Sequence, residues 1–432
     1  MAWDFETDPE FQQELDWVEE FVRTEVEPVD QVIEHAWNTR DPLRNKLIKP
    51  LQQKVRERRL WACHLGPELG GPGYGQLKLA LLNEKLGRTH SGPVVFGCQA
   101  PDSGNAEILA HYGSEYLKKT YLEPLLENEI ASCFSMTEPH GGSDPTGFRT
   151  TAVLDGDAWV INGEKWFSSH ALFAEFLIVM AVTEPEAPRH RSMSMFVVPA
   201  DAPGVERVRD VSVWGHEERV GTHQYLRYND VRVPAENLLG ERGEGFAVAQ
   251  TRLGGGRIHH AMRTVGLVGQ AFELMKRRAV SRTTRGERLA DKQLVQEMIA
   301  DSWIQLEQFR LLVLRTAWKI DKYNDYRTVR PDIAAVKAAM PQVLLDVASR
   351  AIQIHGSLGI SKELPFGKWV MESFHMGLAD GATEVHKVNL AKALLRRTQP
   401  DDGLFPPYIL PTLSEQAHQR YADVIAESGT HE

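Results

Sequence analysis

Between residues ~135 and ~235 the chain reads as strand, while the stretches on both sides of that block read as helix. Residues 150–154, 159–162 and 164–168 are short β-prone runs, divided by Asp155-Gly156-Asp157 and by Asn162-Gly163. Asn-Gly at that place predicts a tight hairpin. Further strands fit residues 176–182, 193–198 and 225–233, punctuated by Pro199, Pro203 and Pro234, so the block predicts a small β-barrel or sandwich. Helix, strand and helix in this order make the chain α+β, mostly α.

The N-terminal part opens on Asp8-Pro9, an N-cap and first-turn pair, and Phe11, Leu15, Val18 and Val22 follow at helical spacing. Residues 76–87 and 106–126 are helix-compatible, with Leu69-Gly70-Gly71-Pro72-Gly73 as a break. After Gly245, residues 257–277, 291–319, 332–355 and 383–396 carry apolar residues at helical spacing, and four such helices suit a bundle. The predicted division is an N-terminal helical domain over 1–132, a β-domain over 133–240, a helical bundle over 241–398 and a tail over 399–432.

Lys plus Arg number 49 against 59 Asp plus Glu, and a net charge of -10 is not what a nucleic-acid surface needs for counterion release. Hydrophobic residues at 42% and charged ones at 25% exclude disordered and collagen-like classes. Three separated cysteines, Cys63, Cys98 and Cys133, make no disulfide framework or zinc site. The acidic start MAWDFETDPEF does not read as a leader, apolar runs such as residues 176–182 are far shorter than the ~20 residues a bilayer requires, and residues 429–432 match no targeting signal. The expectation is a cytoplasmic protein without an integral membrane segment.

No Rossmann fingerprint, phosphate-binding Gly-Lys-Ser/Thr loop or His-Glu-x-x-His helix occurs. His259 and His260, adjacent on a helix, point to different faces and make poor joint metal ligands, so no metal is expected and they read as packing or pocket residues. Two segments carry more. Residues 134–144, Phe-Ser-Met-Thr-Glu-Pro-His-Gly-Gly-Ser-Asp, form a small-residue loop that exposes N–H groups and hydroxyls, and residues 162–169, Asn-Gly-Glu-Lys-Trp-Phe-Ser-Ser, offer an aromatic platform after a turn.

Together these segments resemble the acyl-CoA dehydrogenase family, with its Thr-Glu-Pro-(small)-Ser-Asp loop and its Asn-Gly-x-Lys-x-(aromatic) strand. The resemblance continues through Asn229-Asp230-Val231-Arg232-Val233-Pro234, Gly243-x-Gly245-Phe246, Gln353-Ile354-His355-Gly356-Ser357-Leu358-Gly359 and Ala379-Asp380-Gly381, covering residues ~10 to ~398. Residues 256–267 and 379–386 are most similar to the branch whose animal members are fused behind a phosphotransferase-like domain. The resemblance implies the family fold of helical domain, β-barrel domain and four-helix bundle, and FAD-dependent oxidation of an acyl-CoA to a trans-2-enoyl-CoA. It also implies electron-transfer flavoprotein as partner and a homo-oligomer, either a dimer or a dimer of dimers. Oxygen-using relatives, of the acyl-CoA oxidase or nitroalkane-oxidase type, and a flavin-less scaffold stay open as alternatives.

The site residues follow position by position. Phe134, Met136, Thr137 and Ser143 from the loop, with Trp166, Phe167 and Ser168 from the strand, would hold the flavin, Ser168 near N5 and Ser143 near phosphate or substrate. Arg282, Gln293, Gln353, Gly356 and Ser357 would complete the adenine side of FAD bound in a neighbouring copy. Arg285-Gly286 departs from the family's Phe-Gly there. Asp380 stands where most members carry a glutamate base, with Gly381 beside the substrate and Ala382 and Glu384 near the cofactor. Some members place the base immediately before an arginine on the first C-terminal helix, and here that position is Gly256, before Arg257. Arg257 would line the acyl-CoA site.

Overall fold

The computed structural model describes residues 5–213 and 223–429. The chain divides into a large unit, Met1–Lys387, and a small one, Val388–Glu432. In the large unit, α1 (Pro9–Phe21) starts where the Asp8 carboxylate accepts the Phe11 N–H at 2.9 Å, and it buries Phe11, Leu15, Val18 and Phe21. Three more helices follow, α2 (Pro42–Glu57), α3 (Gly75–Leu86) and α4 (Asp102–Tyr112). The helix expected over 106–126 stops early. Gly113 is extended, and Ser114 caps a new turn by accepting the Leu117 N–H, so short separate turns fill the remainder.

Seven strands form one curled sheet: β1 (Ser132–Ser135), β2 (Thr151–Asp155), β3 (Ala158–Ser169), β4 (Phe176–Val182), β5 (Met193–Pro199), β6 (Val205–Val211) and β7 (His223–Pro234). The order is β1-β4-β2-β3-β7-β6, with β5 pairing antiparallel to β4. Buried on both faces, β4 and β5 read as continuous apolar runs rather than alternating ones. Phe176, Ile178 and Met180 pack with Ile108 and Leu109 of α4, while Leu177, Val179 and Ala181 pack within the sheet's own concavity.

Asn162-Gly163 is no hairpin. The turn lies one step earlier, at Gly156 (φ 66), where Asp155 pairs with Ala158, and β3 runs unbroken through Gly163. Glycine is required at 163 for closeness, because a Cβ there would sit 2.6 Å from the Thr150 Cα.

The long helices are α5 (Gly245–Ser281), α6 (Gln293–Tyr323) and α7 (Tyr326–His355), packed with α8 (Phe366–Leu378). The fourth helix packed into the bundle is thus residues 366–378, whereas the sequence predicts it at 383–396. Helix α9 (Thr383–Leu395) begins in the large unit, and the small unit holds α10 (Leu410–Arg420) and α11 (Ala422–Glu427). Helices α3 and α5 cross at two glycines: a Cβ on Gly87 would lie 2.1 Å from the Arg263 carbonyl oxygen, and one on Gly266 would lie 2.2 Å from that of Glu84. No helix among the described residues is long and apolar enough to cross a membrane.

Candidate active site

Helix α8 ends in a turn at Asp380 (φ 55) and Gly381 (φ 102), a left-handed pair that Asp and Gly tolerate better than β-branched residues. The turn is pinned from outside. The Asp380 carbonyl accepts the Arg257 Nε–H at 2.9 Å, His386 Nε2 lies 3.3 Å from the same oxygen, and the Thr383 hydroxyl donates to the Gly377 carbonyl at 3.2 Å. The backbone of Asp380 is thereby fixed from α5 and α9, and its carboxylate reaches across to α5. Oδ2 lies 3.4 Å from where a Gly256 Cβ would stand and 3.6 Å from His260 Nε2.

Burial opposes the charge on Asp380, but His260, Arg252, Arg257 and Lys337 together outweigh it and hold the carboxyl below its ordinary range. Burial also pushes His260 to about 4, so its imidazole is neutral at neutral pH and the standing positive charge belongs to the two arginines and Lys337. Lys337 is itself pushed down to about 8 by burial, with Asp380 opposing, and its Nζ donates to the Met376 carbonyl at the end of α8.

A cavity of about 270 Å³ opens over this carboxylate, walled by α4, α5, α8 and the ends of β3 and β7. Arg252 donates from Nε to Asn105 Oδ1 at 2.9 Å and lies 4.0 Å over the Phe134 ring. Across the cavity, burial raises Glu107 to about 7 despite Arg252. Burial also opposes protonation of His375, but Glu372, whose Oε2 lies 3.4 Å from Nδ1, and Asp380 raise its pKa overall.

On the sheet side, the 136–143 loop is fastened to β3 by a buried ion pair. Lys165 donates to Glu138 and to the Met136 carbonyl, both at 2.8 Å, and Glu138 also accepts the Arg149 and Thr150 N–H groups. The Trp166 N–H reaches the Thr137 carbonyl at 3.0 Å. Between Lys165 and Ser168 the β3–β7 register shifts, Phe167 takes φ 49, and the alternation of faces slips. The slip sends two neighbouring serines to different places. Ser168 is fully buried, its hydroxyl 2.9 Å from that of Ser135, which in turn meets Tyr228, whereas Ser169 lines the cavity with its hydroxyl 2.8 Å from His223 Nδ1.

The structure brings Asp380 to the cavity with Gly381 beside it, and places Phe134 under Arg252. Met136, Thr137 and Trp166 are half-buried, while Ser143 and Phe167 are exposed. Arg257 grips the Asp380 backbone and does not line this cavity. Ala382 is half-buried and Glu384 exposed at the start of α9. Arg282, Gln293, Gln353, Gly356 and Ser357 are all exposed at the ends of α5, α6 and α7, and none lines this cavity. Sequence reasoning missed Arg252, Glu107, Glu372, His375 and Ser169 in the wall. No local pattern marks them, because they come from four separate elements. His259 and His260 both line it, about one helical step apart, His259 facing Gln76 and His260 facing Asp380.

Three family models match: acyl-CoA dehydrogenase N-terminal domain over residues 8–129, middle domain over 133–231 and C-terminal domain over 243–395. The chain belongs to the acyl-CoA dehydrogenase family, whose members are FAD-dependent oxidoreductases acting on CH–CH groups. Among relatives, it is 42% identical to Probable acyl-CoA dehydrogenase FadE2 of Mycobacterium tuberculosis, over 81% of this chain and 86% of that protein. It is 40% identical to Acyl-CoA dehydrogenase family member 11 of Mus musculus, over 89% of this chain and 50% of that protein, so it spans about half that relative's length. Among solved structures, butyryl-CoA dehydrogenase from Megasphaera elsdenii superposes with a TM-score of 0.77 at 27% identity, covering 91% of this chain and 100% of that one. The glutaryl-coenzyme A dehydrogenase complex with glutaryl-CoA gives the same TM-score, 0.77, at 27% identity, with 92% and 98% covered.

Proposed function

We propose that this chain catalyses FAD-dependent α,β-dehydrogenation of an acyl-CoA thioester to a trans-2-enoyl-CoA. The observation that carries the reading is a carboxylate, Asp380, held on a pinned turn at the wall of a cavity of about 270 Å³, among cations that favour its ionised form. FAD, when bound, supplies the acceptor for the hydride equivalent leaving the β-carbon.

The residues present fit such a ring. The register shift takes Trp166 and Phe167 out of the β3–β7 ladder, the Trp166 N–H ties the half-buried Thr137 to the same place, and the Ser169 hydroxyl faces the cavity beside His223. A polar-edged planar group requires that combination of stacking surface and hydrogen-bonding groups.

Asp380 accepts the α-proton on a carboxylate oxygen. In the open cavity its low pKa makes it a weak base, and filling the cavity with an acyl chain removes water and raises it. Arg257 and His386, by gripping its carbonyl, keep the carboxylate aimed while that happens. A neighbouring copy of the chain would contribute Arg282, Gln293, Gln353, Gly356 and Ser357 to the adenine end, which accords with their exposure away from this chain's own cavity. An electron-transfer flavoprotein is the proposed recipient of the electrons.

The test is anaerobic mixing of FAD-loaded protein with acyl-CoAs of varied length and branching, followed by flavin absorbance. Loss of absorbance with at least one of them is expected. A flavin that stays oxidised throughout would overturn the assignment, and rapid oxygen consumption in air would move it to an oxidase.

A further inference from the structure

Asp380 has an anchored backbone and a nearly free side chain. Its carbonyl is gripped by Arg257 and His386, but among the described residues its carboxylate has only one basic side chain within 4.0 Å, the His260 imidazole at 3.6 Å. The two arginines and Lys337 act on the charge from further away and set no orientation, since Arg252 is spent on Asn105 and Lys337 on the Met376 carbonyl. Something else must decide which carboxylate oxygen faces the ligand. His260 stands on α5 one turn beyond Gly256, and those two residues address the same oxygen, Oδ2, one by close approach and the other by its ring nitrogen.

We propose that His260 is the positioning residue of Asp380: a neutral imidazole whose Nε2–H points at Oδ2, seats that oxygen over Gly256, and leaves Oδ1 as the atom that receives a proton from the bound ligand. The tautomer follows from electrostatics, because a lone pair on Nε2 would face an ionised carboxylate. Neutrality follows from the surroundings. Burial is the main cause; Arg263 on its own helix and His375 on α8 add to it, and Asp380 and Glu372 oppose it, with Arg252, Arg257, Lys337 on α7 and His386 on α9 completing the titratable groups around the Asp380 turn. Gly256 is part of the device, since a side chain there would displace Oδ2 and with it the contact to His260.

This proposal rests on the reading of Asp380 as the base, so its test has one arm independent of that reading. In the first arm, unfolding of the cofactor-free full chain by urea is measured for wild type, His260→Phe, Asp380→Asn and the double variant. The two substitutions should be non-additive by about five-fold or more in the unfolding equilibrium constant, whereas additivity would overturn the contact. In the second arm, the pH dependence of flavin bleaching by an acyl-CoA is compared. Removing the N–H donor in His260→Phe should move the acid midpoint up by about one pH unit and lower the plateau rate at least ten-fold. His260→Gln, which keeps an N–H in reach and cannot ionise, should return the midpoint to within a few tenths of wild type. An unchanged midpoint in His260→Phe, or a Gln variant that fails to restore it, would overturn the proposal. If His260→Phe does not fold, His260→Met, which also lacks the N–H donor, takes its place in both arms. If wild type bleaches with no acyl-CoA, the base assignment fails and the urea cycle alone decides whether His260 holds Asp380.

Discussion

Ser168 and Ser169 are neighbours with opposite duties, and the difference comes from the irregularity just before them. Strand alternation counted from the buried Lys165 is reset at Trp166 and Phe167, and the reset turns Ser168 into the core and Ser169 toward the cavity. Ser168→Ala should therefore cost about 0.5–1.5 kcal/mol of stability, by removing one of the two hydroxyl partners of the buried Ser135, which keeps Tyr228, and leave FAD affinity near wild type. Ser169→Ala should weaken FAD binding by several-fold with little change in the melting temperature; fluorescence titration of the apoprotein with FAD and a thermal melt separate the two. Lys165→Met should be the harsher change, about 3–5 kcal/mol by urea unfolding, because Glu138 would remain charged and buried without its cation. The motifs were legible as motifs, yet the register inside them was not, since a one-residue shift in a strand leaves no trace in composition. Glu138 and Lys165 show the same limit: part of what makes the two segments recognisable is a structural ion pair rather than chemistry.

Elements were legible where one face is apolar and the ends are capped. Helix α1 could be read because Asp8, Pro9 and the 11, 15, 18 spacing all agree. Helix α8 has the spacing too, with Phe366, Trp369, Ser373 and Met376 buried, but Gly367, Gly377 and a polar Ser373 in the stripe dilute the signal. This weakly marked helix is the element that delivers Asp380. The crossing of α3 on α5 is likewise invisible in either helix alone, because Gly87 and Gly266 gain meaning only when the backbones meet. Gly266→Ala should push the helices apart and lower the urea midpoint by the equivalent of about 1–3 kcal/mol, while Gly269→Ala, one turn on and with open space at its Cβ position, should be neutral or slightly stabilising.

Across the whole molecule, the buried histidines tie stability to pH. Burial holds His64 at about 3 and His260 and His386 at about 4, and it lowers His259 well below its ordinary value. Unfolding frees each to bind a proton near pH 6.5, so the unfolded chain carries more protons between about pH 4 and 6.5, and stability falls as pH drops through that window. Each such group contributes a slope of at most about 1.4 kcal/mol per pH unit. His375 and Glu107, both raised in the fold, work the other way, His375 with its contribution present below pH 6.5 and Glu107 gaining as pH falls below about 7, but they are outnumbered. Asp380 and Glu138, lowered in the fold, add stability above the ordinary carboxylate range that is lost as pH falls through it. The urea midpoint should decrease steadily from pH 7.5 to 5, and a flat profile would contradict these burial assignments.

At the same scale, exposed Leu294, Trp303, Ile304 and Leu311 on α6 fit the proposed oligomer. Trp303→Asp with Leu311→Asp should yield smaller particles by sedimentation and a chain that retains FAD poorly.

The central claim is that Asp380, seated over Gly256, removes the α-proton. Its most direct test is exchange of the α-hydrogen of a bound acyl-CoA with deuterated water, followed by mass spectrometry of the recovered thioester. Wild-type protein should incorporate deuterium at the α-carbon, and Asp380→Asn should slow that incorporation at least a thousand-fold while still binding the thioester. Equal incorporation by the two proteins would contradict the account.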